Sequence, residues 1–370
     1  MAYKLIDDMM AYKSELYFLE LAKPLVIGSA SIAPNTPLPI DYFRLKDQVV
    51  LEGAQSFSLL HFMEGMLKVL SMDKTFQYRS VYLAFLKETP TEILELCFQQ
   101  ALEYKEKKDF LHALMLFKGL LQLFEDDEKV LYLYGCTALD YALVTSEEDK
   151  QKHLEEVARL IFEKMVKEDV GRAYAYYQLG FIYNNQKAFE KALESFHNAL
   201  ALIFEDDIRD DILEQLGPLE DKKNHQLGLQ AIADQDFRRA LGLLLPLSER
   251  YDDWWMLFLA IGACYRQLEK FEESHFYLRK ARAFNAEDLD VLMELALLHR
   301  QWGNLQEAKD LLAKALSNEP ENLVLICEFV DLLFQMGEDE LAKRFANHGL
   351  SIDGQHVFLH RLLEKNHEKE

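Results

Sequence analysis

Catalytic signatures are the first thing missing from this sequence. It has no HExxH, no G-x-S-x-G, no P-loop and no G-x-G-x-x-G, so the common local patterns of metalloproteases, serine hydrolases and nucleotide enzymes are absent. Cysteine is sparse. Cys97, Cys136, Cys264 and Cys327 lie inside apolar helical patterns and none forms a C-x-x-C pair, which argues against a disulfide or zinc framework and for reduced core or groove residues of a cytoplasmic protein. Positive charge is also short, with 41 Lys and Arg against 63 Asp and Glu and a net charge of −22. With no basic stripe to offset it, nucleic acid and anionic membrane surfaces would be repelled rather than neutralised. The longest uncharged stretch, Pro24 to Ile40, is broken by Pro24, Pro34, Pro37 and Pro39, so an extended arm is expected there and membrane insertion is not. The opening MAYKLIDDMM shows no basic region leading into an apolar run, hence no secretory signal. His356 and His360 stand four apart but imply no third metal ligand, and nothing calls for a cofactor.

What the chain has instead is a period. Tyr176, Leu179, Gly180 and Tyr183 share one helical face, and Phe189, Ala192, Leu193, Phe196 and Ala199 share another, with Asn184 to Lys187 as the turn between them. Steps of 34 residues run through Ala240, Ser274, Ala308 and Ala342, and Ala158 stands 34 before Ala192. A small residue is wanted where two helices cross closely, because a larger one would cost ~1–3 kcal/mol of strain. The Leu-Gly pair returns as Leu227-Gly228, Ile261-Gly262 and Leu295-Ala296, with Tyr134-Gly135 upstream, and the turn aromatic returns as Phe110, Phe237 and Phe271.

The stretch Ala173 to Asp206 resembles a tetratricopeptide repeat, whose W-x2-L-G-x2-Y then A-x3-F pattern is met by Tyr176, Leu179, Gly180, Tyr183, Ala192 and Phe196, with the tryptophan replaced and the closing proline absent. The resemblance implies an all-α fold, a right-handed superhelical solenoid of helix-turn-helix repeats with an N-terminal helical cap and about seven to eight units. It also implies a non-enzymatic protein.

In chain order, residues 1–59 should form N-terminal helices carrying the 24–40 arm. One helix is expected from Met1 to Lys23, with Leu5, Met9, Tyr12, Leu16 and Leu19 on one side, and another from Phe43 to Ser71. The arm should pack on the first helices as an apolar linker, the sharper alternative being that Pro34 to Ile40 occupies a groove. Residues 60–204 hold an N-terminal repeat block whose first unit, to Ile93, is degenerate: Arg79 stands where the small residue should be. From Ala113 to Ala158 the step is 45, which is 34 plus 11, and the surplus near 145–152 should lengthen a loop or two helices. From Ala192 to Ala240 the step is 48, which is 34 plus 14. That surplus makes residues 205–220 an acidic insertion, read as a solvated face. Residues 221–354 form a C-terminal block of four repeats, and 355–370 a capping helix with a polar tail.

By the register of the resemblance, first-helix positions line a concave, partner-binding groove: Phe98, Leu102, Tyr132, Tyr174, Tyr177, Phe181, Asn184 and Asn185 in the N-terminal block, and Arg266, Gln267, Arg300 and Gln301 in the C-terminal block. Arg266 and Arg300, one repeat apart, could hold a carboxylate or an acidic peptide. The competing reading pairs them with the chain's own Glu294 and Glu328. Tyr174, Tyr177 and Phe181 lie off the face of Tyr176, Leu179, Gly180 and Tyr183, so that helix is apolar or aromatic on both sides and needs a second cover. The expected function is a scaffold or adaptor that grips an extended peptide or helix of another protein. The alternatives are a chaperone similar to those of type III secretion and a peptide-responsive bacterial regulator. The Lys and Asn set of repeats that bind chaperone C-termini is not supplied by any three consecutive units here.

Overall fold

A computed structural model of the chain describes residues 5–41 and 58–367. The chain opens with α1 (Leu5–Ala11), a 3-10 turn (Tyr12–Glu15) and four short strands: β1 (Leu16–Glu20), β2 (Leu25–Ile27), β3 (Ala30–Ile32) and β4 (Pro37–Asp41). The single helix expected to Lys23 therefore ends early. Leu16 and Leu19 sit on β1, which pairs antiparallel with β4, while β2 and β3 close a hairpin on Gly28 at φ 58°. Pro37 and Pro39, two apart, leave their missing N–H groups on one edge of β4, where a strand tolerates them. The 24–40 segment thus carries the inner ladder and most of one strand of the outer one, and four of the five residues of β4 are buried. It packs on the first long helix, α2 (Leu59–Met72), where a Cβ on Gly65 would lie 2.1 Å from the Pro39 carbonyl oxygen. Tyr82 of α3 (Arg79–Glu88) donates to the Pro37 carbonyl at 2.5 Å. Of the helix expected from Phe43, residues 43–57 lie outside the described residues. Arg79, the misfit of the small-residue series, donates from Nη1 to the Leu70 carbonyl at 2.9 Å and from Nη2 to Gln122 at 2.6 Å.

Seven helical pairs follow: α4 (Thr91–Glu106) with α5 (Phe110–Leu120), α6 (Glu128–Val144) with α7 (Glu148–Lys167), α8 (Arg172–Asn185) with α9 (Phe189–Leu202), α10 (Asp206–Ala233) with α11 (Phe237–Arg250), α12 (Trp255–Gln267) with α13 (Phe271–Phe284), α14 (Leu289–Trp302) with α15 (Leu305–Asn318), and α16 (Leu323–Gln335) with α17 (Asp339–Ile352). The last helix, α18 (Val357–His367), buries Leu359 and Leu362 but leaves Val357 70% and Phe358 42% exposed. The chain divides into two compact units between Leu219 and Glu220, and within each unit most successive helices pack on one another.

Sequence dictates each crossing. Ala158, Ala192, Ala240, Ser274, Ala308 and Ala342 are all wholly buried. Across from four of them, a Cβ on Gly135, Gly180, Gly228 or Gly262 would stand 2.5–2.6 Å from Phe162, Phe196, Leu244 or Leu278, so these four first helices are notched to admit one large side chain of the second. The intervening turns repeat as well: Gln235, Glu269, Gly303 and Gly337, 34 apart, all take positive φ. Ser274 does more than fill its crossing, since its Oγ donates to the Gly262 carbonyl at 2.8 Å. Ser274→Ala should therefore cost about 0.5–1.5 kcal/mol in thermal unfolding, and a gain in stability would show that the bond contributes nothing.

Both surpluses are helix. Beyond its glycine, α6 runs from Gly135 to Val144 where α8 runs only from Gly180 to Asn185, and α7 starts ten residues before Ala158 where α9 starts three before Ala192. The added turns place Lys150 2.7 Å from Asp8 of α1. The second surplus extends α10 to 28 residues with Pro218 inside it.

Candidate functional site

The aromatic row expected from the register does assemble, along the first helices of the N-terminal unit. Phe98 of α4 and Tyr132 of α6 are half-buried, and Tyr132 meets Tyr174 of α8 edge-on, with ring centroids 5.9 Å apart. Gln178 donates to the Tyr132 hydroxyl at 3.0 Å. Two adjacent clefts flank this row. The first, of about 520 Å³, is lined by Phe98, Leu94, Glu95, Phe124 and the start of α6. The second, of about 250 Å³, is lined by Tyr132, Met165, Tyr174, Tyr177 and Ile208. Glu128 and Lys129 border both.

The second cover of α8 is the acidic insertion. Tyr177 donates its hydroxyl to Asp211 at 2.6 Å, and Tyr174 donates to Glu205 at 2.6 Å. Burial, then the Asp211 carboxylate, pushes the Tyr177 phenol up to about 12, so it remains a donor. Glu205 is held below the usual carboxylate range by the Tyr174 bond. Residues 205–211, expected as a solvated charge run, thus form a wall of the site through Ile208 and two phenol-carboxylate bonds. The run leaves a trace in the sequence, because Ile208 and Ile212 interrupt its charges at helical spacing.

Other register residues go elsewhere. Leu102 packs against the unit's core, and Phe181 stacks edge-on with Tyr177 and Phe196 at 5.1 and 5.0 Å. Asn184 and Asn185 end α8, the first half-buried and the second exposed, and line neither cleft.

The arginines are occupied. Arg266 is 6% exposed and grips Glu294 with two bonds, Nε to Oε2 at 2.8 Å and Nη2 to Oε1 at 3.2 Å. Arg300 bonds Glu328 at 3.0 Å, Asp331 and Gln335. Each guanidinium reaches a carboxylate 28 residues on, in the next first helix, so these side chains tie repeats together and do not await a ligand. Gln267 and Gln301 stay exposed. Thiol chemistry has no foothold at the buried cysteines: burial pushes Cys97 and Cys264 up to about 12, and Cys136, half-buried, up to about 11. His356 lies 3.9 Å from Cys327 Sγ, and His360 lies 3.1 Å from the Gly354 carbonyl. No helix among the described residues is long and apolar enough to cross a membrane.

The sequence profile of the tetratricopeptide repeat matches residues 173–206 and 289–322, one stretch in each unit. These two stretches are tetratricopeptide repeats. Such repeats serve as protein-interaction scaffolds and are generally not enzymes. No curated protein matches the chain in sequence. Solved structures with a likeness to this repeat protein include PilW, described as a widely conserved type IV pilus biogenesis factor (17% identity over 62% of this chain and 98% of that one, TM-score 0.39). They also include MamA from Desulfovibrio magneticus RS-1 (14%, 50% and 97%, TM-score 0.37) and YrrB, described as having an unusual peptide-binding site (18%, 57% and 95%, TM-score 0.34). At these scores no partner is carried across.

Proposed function

We propose that this repeat protein is a scaffold whose N-terminal unit grips an extended or helical segment of a partner protein in the paired clefts between Phe98 and Tyr177. The observation that carries this is the joining of the two clefts across Glu128 and Lys129, with half-buried aromatics along the row. Aromatic side chains are the usual anchors of such contacts, combining large buried area with few rotatable bonds. Charge selects among partners. Glu95, Asp127 and Glu128 outnumber Lys129 along the first cleft, so the favoured segment carries apolar anchors flanked by lysine or arginine.

The test is a pull-down from the native organism with wild type, with Tyr174→Ala plus Tyr177→Ala, and with Gln301→Ala as a control, after circular dichroism confirms folding. The partner segment recovered is then titrated in solution. Losing two anchors should weaken binding by about 30-fold or more, added salt should weaken it further, and the control should bind as wild type does. Undiminished affinity in the tyrosine variant would move the working surface elsewhere.

A further inference from the structure

The C-terminal unit carries the opposite electrostatic character at one place. A furrow of about 630 Å³ lies over α14 between α13 and α15, lined by His275, Arg279 and Arg282 of α13, His299 and Leu295 of α14, and Leu311 of α15. The two imidazoles meet edge-on with ring centroids 5.4 Å apart, and Trp302 packs beside both. Unlike Arg266 and Arg300, Arg279 and Arg282 make no ion pair within 4 Å among the described residues. Five arginines among the described residues hold carboxylates, whereas these two line one recess together without doing so.

We propose that this furrow binds a phosphate group, with Arg279 and Arg282 supplying charge and His275 and His299 supplying further donors. Two guanidinium groups and two imidazoles converging on one recess match the charge and the three free oxygens of a phosphate monoester better than the two oxygens of a carboxylate. Nucleic acid is disfavoured because a long polyanion would meet the acidic remainder of the chain. A compact phosphate stays within about one screening length, ~8 Å, of the two arginines.

The histidines give the site a pH dependence. Burial, then the Arg279 charge, lowers the titration of His275, and burial, then His275, lowers that of His299. Glu307 works weakly in the other direction on His299. Glu272 borders the neighbouring recess beside Lys280, and Glu287 bonds Lys314 at 2.6 Å while feeling the Arg282 charge. Both shifts favour the neutral imidazole in the free protein. An anion between them favours protonation, so affinity should rise as pH falls.

The test is a titration of the full chain, observed through imidazole resonances, at constant ionic strength set with chloride. The probes are inorganic phosphate, a phosphoserine peptide and its serine counterpart. Saturable shifts confined to His275 and His299, with titration midpoints moved upward, are expected. Arg279→Gln with Arg282→Gln should weaken binding by about a hundredfold, roughly tenfold per charge-assisted bond. Arg344→Gln with Arg361→Gln, the same charge change elsewhere, should leave it as in wild type. Saturation by inorganic phosphate points to a small ester, and saturation by the phosphoserine peptide alone points to a phosphorylated protein segment; both uphold the site. No saturation by either probe, or an equal response in the double variant, overturns it.

Discussion

Lys68→Met should destabilise the N-terminal unit by about 3–5 kcal/mol, the range for stripping one partner from a buried ion pair. Lys68 is wholly buried on α2, with its Nζ 2.8 Å from Asp41 at the end of β4. Tyr12 also donates to that carboxylate, and the ammonium lies 5.1 Å from the Tyr12 ring centre and 5.3 Å from that of Tyr104. His112 approaches Asp41 at 3.9 Å while its other ring nitrogen meets Asp109 at 2.6 Å. One cation therefore holds together β4, the 3-10 turn and helices α2, α4 and α5. Methionine fills the space and leaves the Asp41 carboxylate, 6% exposed, without its cation. Adding Asp41→Asn should return much of the loss, because removing both charges is far less costly than removing one. Urea unfolding of the two variants decides the matter, and a single variant within 1 kcal/mol of wild type would mean that the pair contributes little.

The second large effect is expected at Gly119→Ala. A Cβ there would lie 2.4 Å from the Leu67 carbonyl oxygen and 2.8 Å from its carbon, so α2 and α5 would have to separate. Both colliding groups are backbone, which leaves no flexible side chain to yield, and the cost should reach or pass the ~3 kcal/mol at the top of the usual overpacking range. Gly242→Ala is the contrast, since nothing lies within 4 Å of its Cβ position. In mid-helix it should stabilise by up to about 1 kcal/mol. Equal behaviour of the two variants would refute the steric argument.

Much of the helical array was legible from sequence because close crossings require small residues, and the positions from Ala158 to Ala342 in that series are wholly buried. The N-terminal segment was not. Leu5, Met9, Tyr12, Leu16 and Leu19 are spaced like a helical face, yet spacing of three and four over so few residues does not distinguish a helix running on from a helix that hands over to a strand. The better signal was Pro37 and Pro39, which alternate as an edge strand requires. Register placed Phe98, Tyr132, Tyr174 and Tyr177, which line the two clefts, and passed over Phe124, Glu128 and Lys129, which line them as well but precede the first-helix positions it counts. It also put Arg266 and Arg300 on the right helices. Whether they were free depended on the rotamers of Glu294 and Glu328, which spacing does not fix.

The two surpluses carry a further consequence. At 3.6 residues per turn, the extra residues at the tip of the α6–α7 pair, four at the end of α6 and seven at the start of α7, come to about one and two turns. The extra length at the start of α10 comes to about four. Every lengthening is close to a whole number of turns, while each single residue swings a helical face by about 100°. Length is added in this architecture at the free ends of helices, beyond the crossings that the small residues mark, and every added turn creates fresh side wall. In this chain one such wall ties down α1 through Lys150, and the other encloses the tyrosines.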